Sequence, residues 1–389
     1  MSSTAFYCLR NSGSYLVNDR FSNHAKSLIY TPHFALFLQP GTIHMSLFFR
    51  YVASALLFLL SFPVFAQERV AYTSVQEAGP DYLVQGEYRG AVRFVGLLRS
   101  SCGLQVIARG EGDFTAILIP GGLAGQGGNL EEKVQLKGQT NDAGVTVLSN
   151  DTYQVKIANG IATVSNSEDR RIGRLRHIVR QSVTIGMPAP EQAVVLFDGQ
   201  NTDNLIDAKV TEDGLLMEGV LTREVVKDFR LHLEFKTPFM PNSLGQSRGN
   251  SGVYIQRRYE VQVLDSFGLE GLHNECGGLY RQKPPTVNMA FPPLVWQTYD
   301  IQFRAARFNE AGEKTENAQI TVYHNGIPVH EAYELTGKTG AGQPETPTRQ
   351  PILLQNHSDP VRYRNIWLVH LEESEAGLEA KPRKRSGNK

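Results

Sequence analysis

Glu260, Gln262 and Asp265 lie in the run Tyr259–Asp265, YEVQVLD. Tyr259, Val261 and Val263 alternate with Glu260 and Gln262, the period-two pattern of a strand with one apolar and one polar face. A single bulge after Gln262 would bring Asp265 onto the polar face too. Two carboxylates on one face can divide general-acid and general-base duties when their surroundings split their pKa values; the same face could equally be plain wetted sheet. The wider stretch Gly249–Ser266, GNSGVYIQRRYEVQVLDS, reads as two short strands joined by a tight basic turn holding Arg257 and Arg258, with Asn250 just ahead. His273-Asn274-Glu275, Tyr280 and Arg281 follow, and later Gln355-Asn356-His357 precedes Asp359, Arg362, Arg364 and Asn365. As a histidine, His357 suits a base or a metal ligand, or is an ordinary loop histidine. Amides and carboxylates gathered this way suit sugar hydroxyls over an aromatic platform. Trp296 and Trp367 are candidates for that platform or for the core.

The elements that must position these groups read as strands. Asp228–Thr237 alternates, with Phe229, Leu231, Leu233 and Phe235 on one face and Arg230, His232, Glu234 and Lys236 on the other, as in a half-buried antiparallel strand. Tyr299–Arg304 repeats the pattern, Ile320–Tyr323 leads to the hairpin signal Asn325-Gly326, and Val361–Leu371 is a last long strand. Ahead of them, Glu68–Pro80 reads as irregular and Tyr82–Tyr88 as an opening strand. Gly103–Arg109, Phe114–Ile119, Val145–Leu148, Tyr153–Ile157 and Ile161–Val164 continue a short-strand rhythm, with a turn at Asn159-Gly160. Pro120–Gly128, PGGLAGQGG, lacks the following lysine of a phosphate loop and reads as a surface loop. Arg170–Arg180 holds five arginines, which suit an acidic glycan or simply a solvated face. Gly186–Pro190 reads as a linker. The fold class is therefore all-β, a sandwich or jelly roll preceded by a smaller β-rich unit.

The 389 residues carry 39 basic and 39 acidic side chains, so no charge excess points to nucleic acid. With 36 Gly and 19 Pro the chain is turn-rich, which favours β structure over helix bundles. Arg50, the apolar run Tyr51–Phe62 and Ala66 match a secretory signal peptide cleaved near Ala66, with translation starting at Met45 and residues 1–44 preceding it. The organisation expected is thus 1–66 as extension plus signal, 81–185 as a β-rich domain, 191–371 as a β-sandwich and 374–389 as a disordered basic tail. The location expected is exported, periplasmic or extracellular, with no stable membrane span after cleavage. Cys102 and Cys276 then remain, read as unpaired buried residues. No HExxH, CxxC pair, GxSxG or EF-hand spacing occurs, which argues against a zincin, a zinc ribbon, an α/β-hydrolase and an EF-hand.

Together NSGVYIQ, YEVQVLDS, GGLY, WQTYDI, the NG hairpin and LLQNHSDPVRYRNIW resemble the 3-keto-disaccharide hydrolase family over about Val194–Leu371. VVLFDGQNTDNL resembles its opening strand without the usual following tryptophan, and Asn356 stands where members often carry Asp. The β-rich unit, with QGEYRG, GLQVIARG and PGGLAG, resembles a segment found ahead of this domain in some secreted bacterial members. The resemblance implies a concanavalin- or laminarinase-like jelly roll and cleavage of 3-keto-glycosides. A ketone at C3 acidifies the C2 proton, so elimination of the C1 substituent and addition of water can follow. Glu260 or His357 would be the base, Arg257 or Arg362 would stabilise the enolate, and Asp265 or His273 would be the acid. Asn250, Gln262, Gln355 and Tyr280 would hold the sugar. The spacing E-x-Q-x-x-D is also similar to the E-x-D-x-x-E strand of laminarinase-type glucanases, which keeps open a retaining glucanase with Glu260 as nucleophile. A non-catalytic carbohydrate-binding module is the third reading. The partner expected is a carbohydrate, with no nucleic acid; no cofactor or metal site is read, a divalent cation is left open, and the oligomeric state is unknown.

Overall fold

The computed structural model describes residues 69–94 and 98–372. The signal segment and the basic tail lie outside them.

Tyr82–Val84 do not open a strand. They end a short helix, α1 (Gly79–Val84), because Pro80 has the fixed φ a first turn needs and Asp81 offers negative charge to its N-terminus. Eight antiparallel strands follow. They are β1 (Gly86–Val92), β2 (Ser100–Gly110), β3 (Asp113–Pro120), β4 (Val134–Thr140), β5 (Thr146–Ser149), β6 (Tyr153–Ala158), β7 (Ile161–Asn166) and β8 (Arg171–Ile178). Each pairs with the next and β8 returns to β1, so the sheet closes into a barrel and leaves no free edge. Tyr88, Leu104, Val106, Leu118, Val155 and Leu175 fill it, and Phe239 from the following sandwich joins the same core. The Asn159-Gly160 turn has φ of 49° and 70°, the left-handed pair a tight hairpin demands.

The remaining strands build two stacked sheets. β9 (Val194–Phe197), β10 (Leu205–Ile206), β11 (Leu216–Met217), β12 (Val220–Val226) and β13 (Phe229–Lys236) come first. The hairpin β14 (Ser251–Ile255) and β15 (Tyr259–Val263) follows, then β16 (Gln297–Arg304), β17 (Arg307–Phe308) and β18 (Lys314–Glu316). β19 (Ala318–His324), β20 (Ile327–Leu335), β21 (Gln350–Leu354) and β22 (Arg362–His370) complete the set. One sheet runs β10-β12-β21-β14-β15; the other runs β11-β22-β13-β16-β19-β20 with β9 on β22, and β17–β18 form a separate ribbon. Phe229, Leu231, Leu233, Phe235, Val253, Val261, Tyr299, Ile301 and Phe303 fill the space between them. Each such side chain contributes about 1.5–3 kcal/mol by leaving water. The chain is therefore all-β with a jelly-roll sandwich.

Several contacts join barrel and sandwich, Phe239 among them. Arg180 donates to Glu87 at 2.6 and 2.5 Å and to Ala124 O at 2.8 Å, and lies 4.7 Å above the Phe291 ring. Ile107, Ile117 and Ile119 on the barrel exterior pack against Phe267. After Arg180 the chain crosses the outer face of β13, so His232 and Glu234 are buried, not half-exposed as the alternation implied. Thr184 donates to Asp300 at 2.7 Å, Asp300 contacts His232 Nδ1 at 2.6 Å, and Gly186 N–H donates to Glu234 at 2.6 Å. Asn365 and Trp367 donate to Met187 O at 3.1 and 3.2 Å. Burial opposes charge on Glu234, yet His232, Asn365, Gly186 N–H and Arg364 outweigh it and hold the carboxyl at about 2. Burial likewise opposes charge on His232, but Asp300 and Glu234 raise its pKa.

Candidate active site

β14 and β15 pair antiparallel, with Gly252 opposite Gln262 and Tyr254 opposite Glu260. Val253, Ile255, Val261 and Val263 enter the core, so Gly252, Tyr254, Glu260 and Gln262 line the other face. Gln355 joins them: its N–H donates to Gly252 O at 2.9 Å.

Glu260 is only 3% exposed, and no cation pairs with it among the described residues. Its Oε2 accepts the Tyr254 hydroxyl at 2.8 Å, and its N–H donates to Thr339 Oγ1 at 2.5 Å. Burial pushes the carboxyl up to about 7, the Tyr254 hydrogen bond pulling the other way. The Tyr254 phenol is itself raised, by burial and by the Glu260 charge, so it stays a donor. Two glycines make room for the carboxyl. A Cβ on Gly252 would stand 2.5 Å from Glu260 Oε1, and one on Gly340 3.1 Å from Oε2 and 2.8 Å from the Tyr280 ring.

Beside this carboxyl lies an amide cluster centred on Gln246. Its Oε1 accepts from Gln262 Nε2 at 3.2 Å, its backbone oxygen accepts from Asn250 Nδ2 at 2.8 Å, and its Nε2 donates to Asn274 O at 2.7 Å. Asn250 Oδ1, Gln262 Oε1 and Gln355 Oε1 are buried without a hydrogen-bond partner, as is Arg257 Nε. A buried polar atom left unpaired costs about 1–3 kcal/mol. Gln262 shares the outer face of β15 with Glu260, and unpaired buried oxygens there are groups that ligand hydroxyls can satisfy.

Asp265, Arg362 and His357 fall elsewhere, while His273 and Arg257 stay at the margin of this face. Asp265, 3% exposed, binds Arg248 at 2.6 Å, and Arg248 continues to Ala108 O of β2 at 3.2 Å, so this carboxylate joins sandwich to barrel and does not form a dyad with Glu260. Arg362, on the opposite sheet, is bound by Glu218 at 2.9 Å. His357 is exposed in the loop after β21, where it acts electrostatically on Asp359; that buried carboxylate accepts the Asn250 N–H at 2.8 Å. His273 is exposed, edge-on to Tyr280 at 6.3 Å between ring centres. Arg257 sits in the β14–β15 turn with φ of 55°. Trp367 stacks on His232 at 5.2 Å and Trp296 lies under Arg364 at 4.0 Å, both with the larger sheet, so neither is a platform beside Glu260. No group of three or more His, Cys, Asp or Glu able to hold a metal ion occurs among the described residues. No helix among them is long and apolar enough to cross a membrane.

Tyr254, Gln246, Gly252, Thr339 and Gly340 are the residues that motif reading missed. Tyr254 was recoverable, since alternation with Val253 and Ile255 places it on the face of Glu260 once the hairpin register is drawn. Gln246 comes from a single 3-10 turn, Gly245–Ser247, and Thr339 and Gly340 from a loop, and their spacing carries no such signal.

A model of the 3-keto-alpha-glucoside-1,2-lyase-like domain matches residues 192–369. No curated protein matches the chain. Among solved structures, one presumed glycosyl hydrolase from Parabacteroides distasonis is 32% identical over 47% of this chain and 85% of its own, with a TM-score of 0.43. A second from the same organism is 24% identical over 46% and 99%, at 0.33. A Trypanosoma rangeli sialidase is 10% identical over 75% and 52%, at 0.27.

Proposed function

Since the chain belongs, through residues 192–369, to the 3-keto-alpha-glucoside-1,2-lyase-like family, we propose that it cleaves glycosides oxidised at C3 and is exported to meet them. The observation that carries this reading is Glu260, a buried carboxyl near pKa 7 with no cation partner among the described residues, flanked by unpaired amide oxygens. A base poised near neutrality suits removal of a proton acidified by a neighbouring ketone.

In this reading Glu260 takes the C2 proton and the electron pair passes to the C3 oxygen as an enolate. Arg257, whose buried Nε lacks a partner, donates to that oxygen. The enolate returns its electrons, the C1–O bond breaks, and the departing oxygen takes a proton from His273. Water then adds across C1–C2 and yields the free 3-keto sugar. Asn250, Gln262 and Gln355 accept from ring hydroxyls, and Tyr280 flanks the ring. Tyr254 keeps the Glu260 carboxylate oriented. A retaining glucanase needs a second carboxyl about 5–5.5 Å from the first, whereas Asp265 is bound to Arg248.

The test is incubation with a 3-keto-disaccharide beside its unoxidised parent. Cleavage of the keto form alone, abolished in Glu260→Gln, supports the reading. Cleavage of the parent favours a glucanase, and binding without turnover favours a carbohydrate-binding module.

A further inference from the structure

The arginine run that the site leaves unused becomes β8, and its alternation sorts the charges. Leu175 enters the barrel core while Arg174 and Arg176 are exposed, and Arg171, past a shift in the register with β7, is exposed too. β1 lies beside it with Tyr88 and Val92 inward and Arg89 exposed, and Arg93, the residue after its end, is exposed as well. The register sets Arg89 directly opposite Arg176, and Ala91 opposite Arg174. On the other side Thr163 faces Arg174 and Ile161 faces Arg176. Small or uncharged neighbours thus leave the guanidinium heads uncovered.

None of these five side chains has a hydrogen bond or ion pair among the described residues. The nearby acids are engaged at the β7–β8 turn, Glu168 with Arg170 at 3.2 Å and Asp169 with Lys156 at 3.9 Å. The chain as a whole has zero formal charge, so this concentration is local. Like charges directly opposite on paired strands oppose folding, and the carboxylate nearest to the Arg89–Arg176 pair on β1, Glu87, is already bound by Arg180. Guanidinium forks match carboxylate and sulfate oxygens two at a time. Arginines two residues apart on one strand stand about 6–7 Å apart, and the next strand lies about 4.8 Å away. That is a two-dimensional array, suited to a chain bearing repeated anions and not to a single ion.

We propose that the outer face of β1 and β8 binds an acidic polysaccharide, one carrying carboxylate or sulfate groups, and so holds the enzyme on an anionic glycan. The choice of a glycan over other polyanions rests on the carbohydrate reading of the sandwich. The binding itself does not, and it is measured without turnover.

The experiment titrates the full chain with polygalacturonate and with neutral dextran at low and high salt, by calorimetry or affinity electrophoresis. Binding of polygalacturonate but not dextran, fading as salt screens the charges, is expected. Arg89→Ala/Arg174→Ala/Arg176→Ala should weaken it at least about tenfold, while its melting temperature holds or rises because the facing like charges are gone. Arg174→Gln alone, a milder change, should weaken binding in the same direction. Unchanged affinity in the triple variant, or in Arg174→Gln if the triple variant does not fold, would overturn the proposal. So would equal binding of dextran, or tighter binding of duplex DNA or phosphatidylglycerol vesicles than of polygalacturonate.

Discussion

Glu260 can be tested without any substrate, because its burial is a statement about stability. Its carboxyl stands at about 7 in the folded chain against an ordinary 4.5. Between those values the unfolded chain has released the proton and the folded chain still holds it, so stability falls as pH rises and the loss is complete once pH passes 7. At ~1.4 kcal/mol per pH unit the loss amounts to roughly 3 kcal/mol. Glu260→Gln keeps the shape and still accepts the Tyr254 hydroxyl, but has no proton to lose. Urea unfolding of parent and variant at about pH 4.5 and about pH 8 should show near parity at the lower pH and a variant more stable by roughly 3 kcal/mol at the higher. A gap of the same size at both values would refute the claim that burial loads this carboxyl, and with it the case for Glu260 as a base poised near neutrality.

Gly252→Ala would drive a methyl group to 2.5 Å from Glu260 Oε1; the flexible carboxyl yields, so stability should change by less than about 1 kcal/mol while cleavage of the keto substrate falls steeply. Asp265→Asn leaves Arg248 buried and uncompensated and should cost about 3–5 kcal/mol in chemical denaturation, more than the double variant Arg248→Met/Asp265→Leu. The contacts holding residues 184–187 against β13 depend on charged Glu234 and charged His232. Protease cleavage there should be slowest from about pH 4.5 to 6.5, rising as Glu234 protonates below that window and as His232 loses its proton above its raised pKa. Cys102 and Cys276 are both buried and free, so both thiols should react with a thiol reagent only after unfolding, and a reductant should leave the melting temperature unchanged.

Much of the site was legible because strands write their faces into the sequence. The alternation in YEVQVLD fixed which side of β15 carries Glu260 and Gln262, and Asn325-Gly326 marked a turn whose φ angles the structure shows to be left-handed. Alternation fails where the chain returns from far away. It marked Glu234 as solvent-facing, but residues 184–187 arrive from another part of the fold and cover it. It left Asp265 free to join Glu260, but Arg248 lies 17 positions away and draws that carboxylate toward the barrel. Tyr82–Val84 were misread for a local reason: apolar residues after Pro80 suit a strand by type, while the proline itself starts a helical turn.

Arg180 has a bearing on how the molecule can be dissected. One guanidinium touches a barrel strand, the glycine-rich loop and an aromatic ring of the sandwich. Cutting the chain at Gly186–Pro190 to obtain the sandwich alone would remove that arginine, bare Phe239 and Phe267, and leave Arg248 and Asp265 at a raw surface. The linker therefore looks like a seam in the sequence but is not one in the folded molecule. Melting should be a single event, and a fragment starting after Gly186–Pro190 should melt at a lower temperature than the full chain.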